Sequence, residues 1–477
     1  MVKKYNLDEI AEKAMVEKDL VPEFEEPVVQ ELREIRQAAP FASKKETRDL
    51  RELLFFSIDN VDSLDLDQLT YAEKNKIYVA VADVDALVKK ESPIDLHAQA
   101  NTTSVYTPSK VFPMLPQKLS NDLTSLNEGE DRLAIIMELE VKEDGSIGAS
   151  SVYKACVQNK AKLNYDQVAG WIEDPLKYHL KIKDLLSQIM LQDELAQRMQ
   201  NYRHQLGALS LDPLEVQPIV MKDEVLGLKE LKPNRATAII ENFMIAANGA
   251  STRYLNNCNF PTFRRVVRVP KNWDRIVSLA KSVDYDLPVI PEALELEKFL
   301  RAQRKKNPDT FPDISLAVIK LLGRGEYVVN FPGEKPLGHF GLAVTDYSHS
   351  TAPNRRYPDL ITQRLIKAAL KKEKPPYSKE ELLTLAIHCT AKEDDAQKVE
   401  RKVKKAAAAI YLSTRIGHSY NGIVTGAGAK GTWVRIFHPP VEGKILKGFE
   451  GLAVGDRVKV KLIAVDVPNG YIDFVKT

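Results

Sequence analysis

The spacing of hydrophobic positions changes character along the chain. In residues 1–48, Leu7, Ile10 and Ala11, then Val28, Leu32 and Ile35, recur at helical spacing, while Pro22, Pro27 and Pro40 cut the stretch into short pieces. Strand-like runs follow. Leu53-Leu54-Phe55-Phe56-Ser57-Ile58 suits a buried strand, and Lys76–Ala82 places β-branched residues at alternate positions. Leu133–Val141 ends by alternating apolar with acidic residues, as a strand with one wet face does. Helical periodicity then takes over at 165–172, 183–204, 235–256 and 355–372, and in a long run from 379 to 413. Strands first and helices later predict an α+β body. From residue 417 short β-rich runs (Gly431–Ile436, Arg457–Leu462, Tyr471–Phe474) alternate with Gly and Pro, the pattern of a small OB-type barrel or of a β-rich structural cap. The expected regions are 1–48, 49–413 and 414–477.

Composition narrows the functional classes. The 477 residues suggest about three domains. With 68 Lys and Arg against 66 Asp and Glu, the net charge is +2, which excludes a globally basic nucleic-acid coat protein. Charge is uneven, however: residues 1–40 hold six basic and ten acidic side chains, whereas 417–477 hold eight and five. No apolar stretch approaches the ~18 residues needed to cross a membrane, and the start of the chain lacks the apolar region of a secretory signal. Cys156, Cys258 and Cys389 form neither a Cys-x-x-Cys pair nor a disulfide framework. A soluble, cytoplasmic, monomeric protein is the expectation.

The chemistry concentrates after the first strand. Asp59, Asp62, Asp65 and Asp67 fall within nine positions. Aspartate favours neither strands nor helix interiors, so local propensity does not explain the cluster. Close carboxylates repel, and a divalent cation removes that cost. Hard oxygen donors suit Mg²⁺ or Mn²⁺, and paired ions on such ligands serve phosphodiester cleavage. A solvated acidic loop is the alternative. An EF-hand does not fit, because counting from Asp59 the sixth position is Leu64 and the twelfth is Thr70.

The aspartate segment resembles the catalytic motif of the RNB exoribonucleases, the ribonuclease II and ribonuclease R family. Further motifs follow in that family's order: Tyr106-Thr107-Pro108, Phe112-Pro113-Met114-Leu115-Pro116, Leu119–Leu126, Ala161–Val168, Glu241–Asn248, His339-Phe340-Gly341-Leu342, and Tyr347–Leu360, which is similar to its TSPIRRY…D motif. Residues 415–477 resemble the S1-type OB domain that follows the RNB body, so the likeness runs from about 50 to 477. The resemblance implies an RNB catalytic domain and a metal-dependent 3′→5′ exoribonuclease. It would hydrolyse single-stranded RNA to 5′-mononucleotides, with Mg²⁺ (or Mn²⁺) as cofactor.

Residue by residue, Asp59, Asp65 and Asp67 fall on three of the family's four metal-site aspartates, and the fourth position holds Gln68. Its amide can coordinate a hard cation but adds no charge; Asp62 is a candidate to compensate. Arg355 falls on the active-site arginine, suited to a scissile phosphate, with an ion pair to Asp359 as its structural alternative; Arg356 is a second substrate-binding candidate, with the same ion pair as its alternative. Tyr106 falls on a tyrosine that stacks on the terminal base, without an identifiable opposing aromatic. Glu400 falls on a late-helix glutamate that would position the 3′ terminus or water, and a solvated helix face is its alternative. His339 and His349 are read as structural; Trp433 and Phe437 could stack bases or fill the barrel's core, and core is the preferred reading for either one singly. Lys430, Arg435, Lys444 and Lys447 are read as backbone contacts. The 48 residues before the body are too few for the two cold-shock domains common in the family. Gln68 motivates the rival reading, an RNA-binding regulator with a weakened site.

Overall fold

The computed structural model describes residues 5–41, 46–177, 182–221, 224–428 and 431–477. At its centre a five-stranded sheet runs in the order Arg48–Asp49, Ile147–Gln158, Asp131–Val141, Lys76–Ala82, Gln68–Glu73. The strand Lys76–Ala82 has the ends read from the sequence. It pairs antiparallel on both sides, Val81 standing opposite Gln68 on one and Ile135 on the other. All its residues after Lys76 are buried, which is why it reads as a continuous apolar run. The helix Arg235–Asn257 packs against the strands Lys76–Ala82, Asp131–Val141 and Ile147–Gln158. Asn234 starts it with a capping box, its side chain bonding the Thr237 N–H while Thr237 bonds back.

The run at 53–58 differs from expectation. The chain bends where the Phe55 N–H donates to the Leu53 carbonyl at 2.8 Å, and Phe56 makes only an isolated bridge to Thr70. The strand itself is Ser57–Asp59. The helices Tyr165–Glu173, Leu185–Gln205, Tyr357–Leu370 and Lys379–Ser413 lie where the periodicity places them. Ser378 and Glu381 form a capping box that opens the last of these, a 35-residue helix.

Other elements were not legible. The hairpin Glu215–Leu231 carries Pro218 within a strand, which argues against a strand reading. The helices Trp273–Lys281, Ala293–Lys306 and Phe311–Leu322 form a unit with its own small core around Phe299 and Phe311. Each is short; Pro288, Pro291 and Pro308 interrupt the pattern between them, and Pro312 stands in the first turn of the third.

The C-terminal strands Ser419–Gly428, Gly431–Ile436, Val441–Lys447, Arg457–Asp466 and Tyr471–Lys476 close into a barrel. Its core takes in Ala408, Ala409 and Leu412 from the end of the long helix, so barrel and helix share apolar contacts. Trp433 corrects the core reading. Thr432, Val434 and Ile436 are buried, and strand alternation therefore turns Trp433 and Arg435 outward. Phe437, just past the strand, is half-buried. Among the described residues no helix is long and apolar enough to cross a membrane.

Candidate active site

The aspartate loop is anchored at both ends. The strand Ser57–Asp59 pairs in parallel with Lys162–Asn164, which sets Asp59 beside Asn164. Asn164 caps the helix Tyr165–Glu173 by accepting the Gln167 N–H, and so brings Tyr165 near Asp59. Lys162 Nζ donates to the Ser63 carbonyl at 2.5 Å. Ser125 Oγ accepts from the Leu66 N–H at 3.0 Å and donates to the Leu64 carbonyl at 2.9 Å. The loop then enters the sheet as the Asp67 carbonyl accepts the Ala82 N–H at 3.0 Å. Asp62 lies on the exposed outer part of the loop, whereas Asp65 is half-buried and Asp67 buried.

The inner carboxylates are expensive where they stand. Asp67 is buried, its Oδ1 accepting the Asn354 N–H at 2.8 Å and its Oδ2 the Arg355 Nε–H at 3.0 Å. Burial nevertheless pushes its pKa up to about 7; Arg355 opposes the rise and Asp65 adds to it. Burial likewise pushes Asp59 up to about 7, again against Arg355 and with Asp65. Asp59 Oδ2 is buried without a hydrogen bond. A buried carboxylate oxygen lacking a donor costs free energy, and as a hard donor beside two more carboxylates it fits a divalent cation. Among the described residues no three His, Cys, Asp or Glu side chains form a ready-made cation cage, so the aspartates are neighbours and not an assembled ligand set. Gln68 opens the next strand, buried and in register with Val81; no hydrogen bond among the described residues joins its amide to the aspartates.

The two arginines separate by partner. Arg355 pairs with Asp67 and not with Asp359, and its side chain remains 40% exposed. Arg356 takes the Asp359 pair, with Nη2 at 2.8 Å from Oδ1. Asp359 Oδ1 also accepts the Ala352 N–H at 2.8 Å, so the Arg356 pair fixes the turn that presents Arg355.

Tyr106 links two carboxylates. It lies in a short hairpin, Val105–Tyr106 paired with Val111–Phe112. Its hydroxyl donates to Asp65 Oδ2 at 2.5 Å and its backbone N–H to Glu400 Oε1 at 2.9 Å. The residue as a whole is 37% exposed. Burial raises the pKa of Glu400, while the Tyr106 N–H and Lys404 oppose the rise. Asp59, Asp65, Asp67, Arg355, Tyr106 and Glu400 thus form one connected centre. Two further residues belong to it that the sequence did not single out, Lys162 and Tyr165. Asp59 stands close enough to help burial hold the Tyr165 hydroxyl protonated. Both lie in the Ala161–Val168 motif, but the parallel pairing across about a hundred residues that brings them to Asp59 is carried by no local pattern.

The histidines are held neutral. Burial lowers His339 to about 4, and burial with nearby arginines depresses His349, which bonds the Tyr327 hydroxyl at 2.8 Å. In the barrel, Arg435 grips both oxygens of Asp313 at 3.1 and 2.8 Å, leaving its side chain 13% exposed. That pair ties the barrel to the helix Phe311–Leu322 and removes Arg435 from the free cations expected to meet RNA. Lys444 lies over the Trp433 ring at 6.0 Å, and Lys447 is exposed. Lys430 lies outside the described residues.

Comparison with known proteins matches residues 47–372 to the RNB domain and residues 418–477 to the RNase II-type exonuclease C-terminal S1 domain. Ribonuclease R of Mycoplasmopsis pulmonis is 31% identical over 99% of this chain, which spans 68% of that relative. Ribonuclease R of Escherichia coli is 28% identical over 94% of the chain, which spans 59% of it. The structure of Mycoplasma genitalium RNase R in complex with double-stranded RNA superposes with a TM-score of 0.87 at 25% identity, covering 99% of this chain and 83% of that one.

Proposed function

This chain belongs to the RNB family, and on that premise we propose that it is a metal-dependent 3′→5′ exoribonuclease that hydrolyses single-stranded RNA to 5′-mononucleotides. The observation that carries the reading is the meeting of Asp59, with its unbonded buried oxygen, and Asp67, bonded by Arg355, in one centre with Tyr106 and Glu400. Asp59, Asp65 and Asp67 would hold Mg²⁺ or Mn²⁺, with Gln68 a weaker, uncharged donor. The bound cation would supply Lewis-acid charge for phosphodiester hydrolysis.

The chain's own groups take the remaining tasks. Arg355 spends its Nε on Asp67 and directs the rest of a planar fork towards the scissile phosphate, offsetting charge that develops there. Tyr106 stacks its ring on the terminal base, a contact that reads no sequence. Glu400 orients the 3′-terminal nucleotide. Water attacks the last phosphorus in line and the upstream 3′-oxygen departs, leaving a shortened RNA with a 3′-hydroxyl and a nucleoside 5′-phosphate. The outward lysines of the barrel would hold the upstream strand through its phosphates.

A time course on 5′-labelled single-stranded RNA with Mg²⁺ tests this, with Asp67→Asn and a chelator as controls. A ladder shortening from the 3′ end and absent from both controls is the expected result; cleavage of circular RNA would sink the exonuclease claim. The second reading, an RNA-binding regulator, is favoured by Gln68 alone. It predicts bound but intact RNA, and turnover gained on Gln68→Asp.

A further inference from the structure

The tyrosine hairpin and Glu400 stand on a small core of their own. Val105 and Phe112 of the hairpin pack with Val399 and Val403 of the long helix, and the third wall is the helix Leu7–Val16, through Ala11 and Met15. Val105 directly precedes Tyr106 and Val399 directly precedes Glu400. Strand alternation turns Val105 inward and Tyr106 outward, so the seat of the one fixes the place of the other.

At the hairpin turn, Lys110 reaches back to the N-terminal segment. Its Nζ lies 2.8 Å from Glu12 Oε1 and 3.5 Å from Glu23 Oε1, and 5.0 Å from the centre of the Phe112 ring. Thr107 Oγ1 stiffens the turn by donating to the Lys110 carbonyl at 2.6 Å and accepting the Lys110 N–H at 3.1 Å. The same segment grips the long helix, where Lys402 Nζ meets Glu17 Oε2 at 2.6 Å, two residues beyond Glu400. It also grips the body, where the Asn101 side chain bonds both the N–H and the carbonyl of Val21 at 2.8 Å.

We propose that Lys110 is a positioning residue. By joining the hairpin to Glu12 and Glu23 it sets where Tyr106 stands between Asp65 and Glu400, which makes Leu7–Glu23 a working part of the centre. The inference rests on the proposed reading only in taking Tyr106 as the surface that receives the terminal base.

The test uses the full chain with Asp67→Asn, so that affinity for a short single-stranded RNA is measured without turnover, and Tyr106→Ala gives the full size of the stacking effect. Lys110→Glu, which faces two glutamates, is expected to weaken affinity by about fivefold, a part of what loss of the ring costs. The charge swap Lys110→Glu with Glu12→Lys is expected to restore it. Glu12→Gln separates positioning from direct contact. It leaves the lysine charge in place yet loosens the hairpin, so weaker binding supports positioning, whereas unchanged or tighter binding overturns it. Unchanged affinity in folded Lys110→Glu, or a folded swap that restores nothing, also overturns it. If Lys110→Glu does not fold, Lys110→Met and Glu12→Gln carry the same comparison. In the turnover-competent chain, KM should rise with kcat nearly constant. An unmutated chain that binds RNA without shortening it removes the nuclease reading and leaves these affinity results standing.

Discussion

Two aspartate–arginine pairs in this molecule, each with a buried carboxylate, serve different ends. Asp313 and Arg435 meet through two hydrogen bonds, and both side chains are nearly closed to solvent at 8% and 13% exposure. Asp67 and Arg355 meet through one, and Arg355 stays 40% exposed. The first pair satisfies itself and links the barrel to the helix Phe311–Leu322. The second is surrounded by surplus charge, since Asp59 and Asp65 crowd the same arginine. A pair that uses both forks of the guanidinium is a joint. A pair that leaves one fork open, beside a carboxylate oxygen without a donor, is prepared to take a ligand.

The sharpest way to break this contrast is Asp67→Asn. The amide oxygen can still accept the Asn354 N–H, so the fold should persist, while RNA shortening falls by about 10³-fold or more, beyond the usual cost of losing a single transition-state donor. Single-turnover rates beside a thermal melt check it, and a retained rate would reduce this pair to another joint. Arg355→Lys comes next. A lysine can neutralise Asp67 or approach a phosphate but lacks the planar fork, so kcat should fall by about 10²-fold with little change in melting temperature.

Arg435→Ala should do the reverse. It strands Asp313 beside the barrel at a cost of about 2–4 kcal/mol, measurable by denaturant unfolding. Cleavage of a short RNA should stay within about threefold, because a group that only docks the barrel stabilises no transition state. A loss of kcat matching that of Arg355→Lys would erase the distinction. The smallest effect is in pH. Burial already raises the Asp313 pKa against the pull of Arg435, and removing the arginine raises it further. The folded variant therefore binds the extra proton more readily than its unfolded chain, and its stability falls as pH rises through the raised value. Its deficit relative to the parent should accordingly be smaller near pH 4.5 than at pH 8, which unfolding curves at the two values can establish.

Much of this was legible in residue order. The aspartate loop stood out because aspartate has no local reason to cluster after a buried strand, and Lys76–Ala82 and the long helices announced themselves by period. Both faces of Lys76–Ala82 are covered, so its whole run is apolar. What stayed hidden depends on partners distant in the chain. Nothing near Arg435 in sequence points to Asp313, 122 residues earlier. Nothing near Tyr165 points to Asp59, and the link between Lys110 and Glu12 spans 98 residues. Trp433 was misjudged because its hydrophobicity suggested core, whereas alternation with Val434 and Ile436 decides which way it faces.

The helix Lys379–Ser413 also acts as a ruler. Glu400 lies on it, and Ala408 and Leu412 on the same rod belong to the barrel's core. The distance along the axis from Glu400 to Leu412 is therefore about 18 Å, at 1.5 Å per residue. No loop in between can absorb a change. A single inserted residue would move the barrel by only about 1.5 Å but swing it about 100° around the axis. Over this stretch length can vary only in whole turns, so the span between the tyrosine hairpin and the barrel is graduated in steps and cannot be tuned continuously.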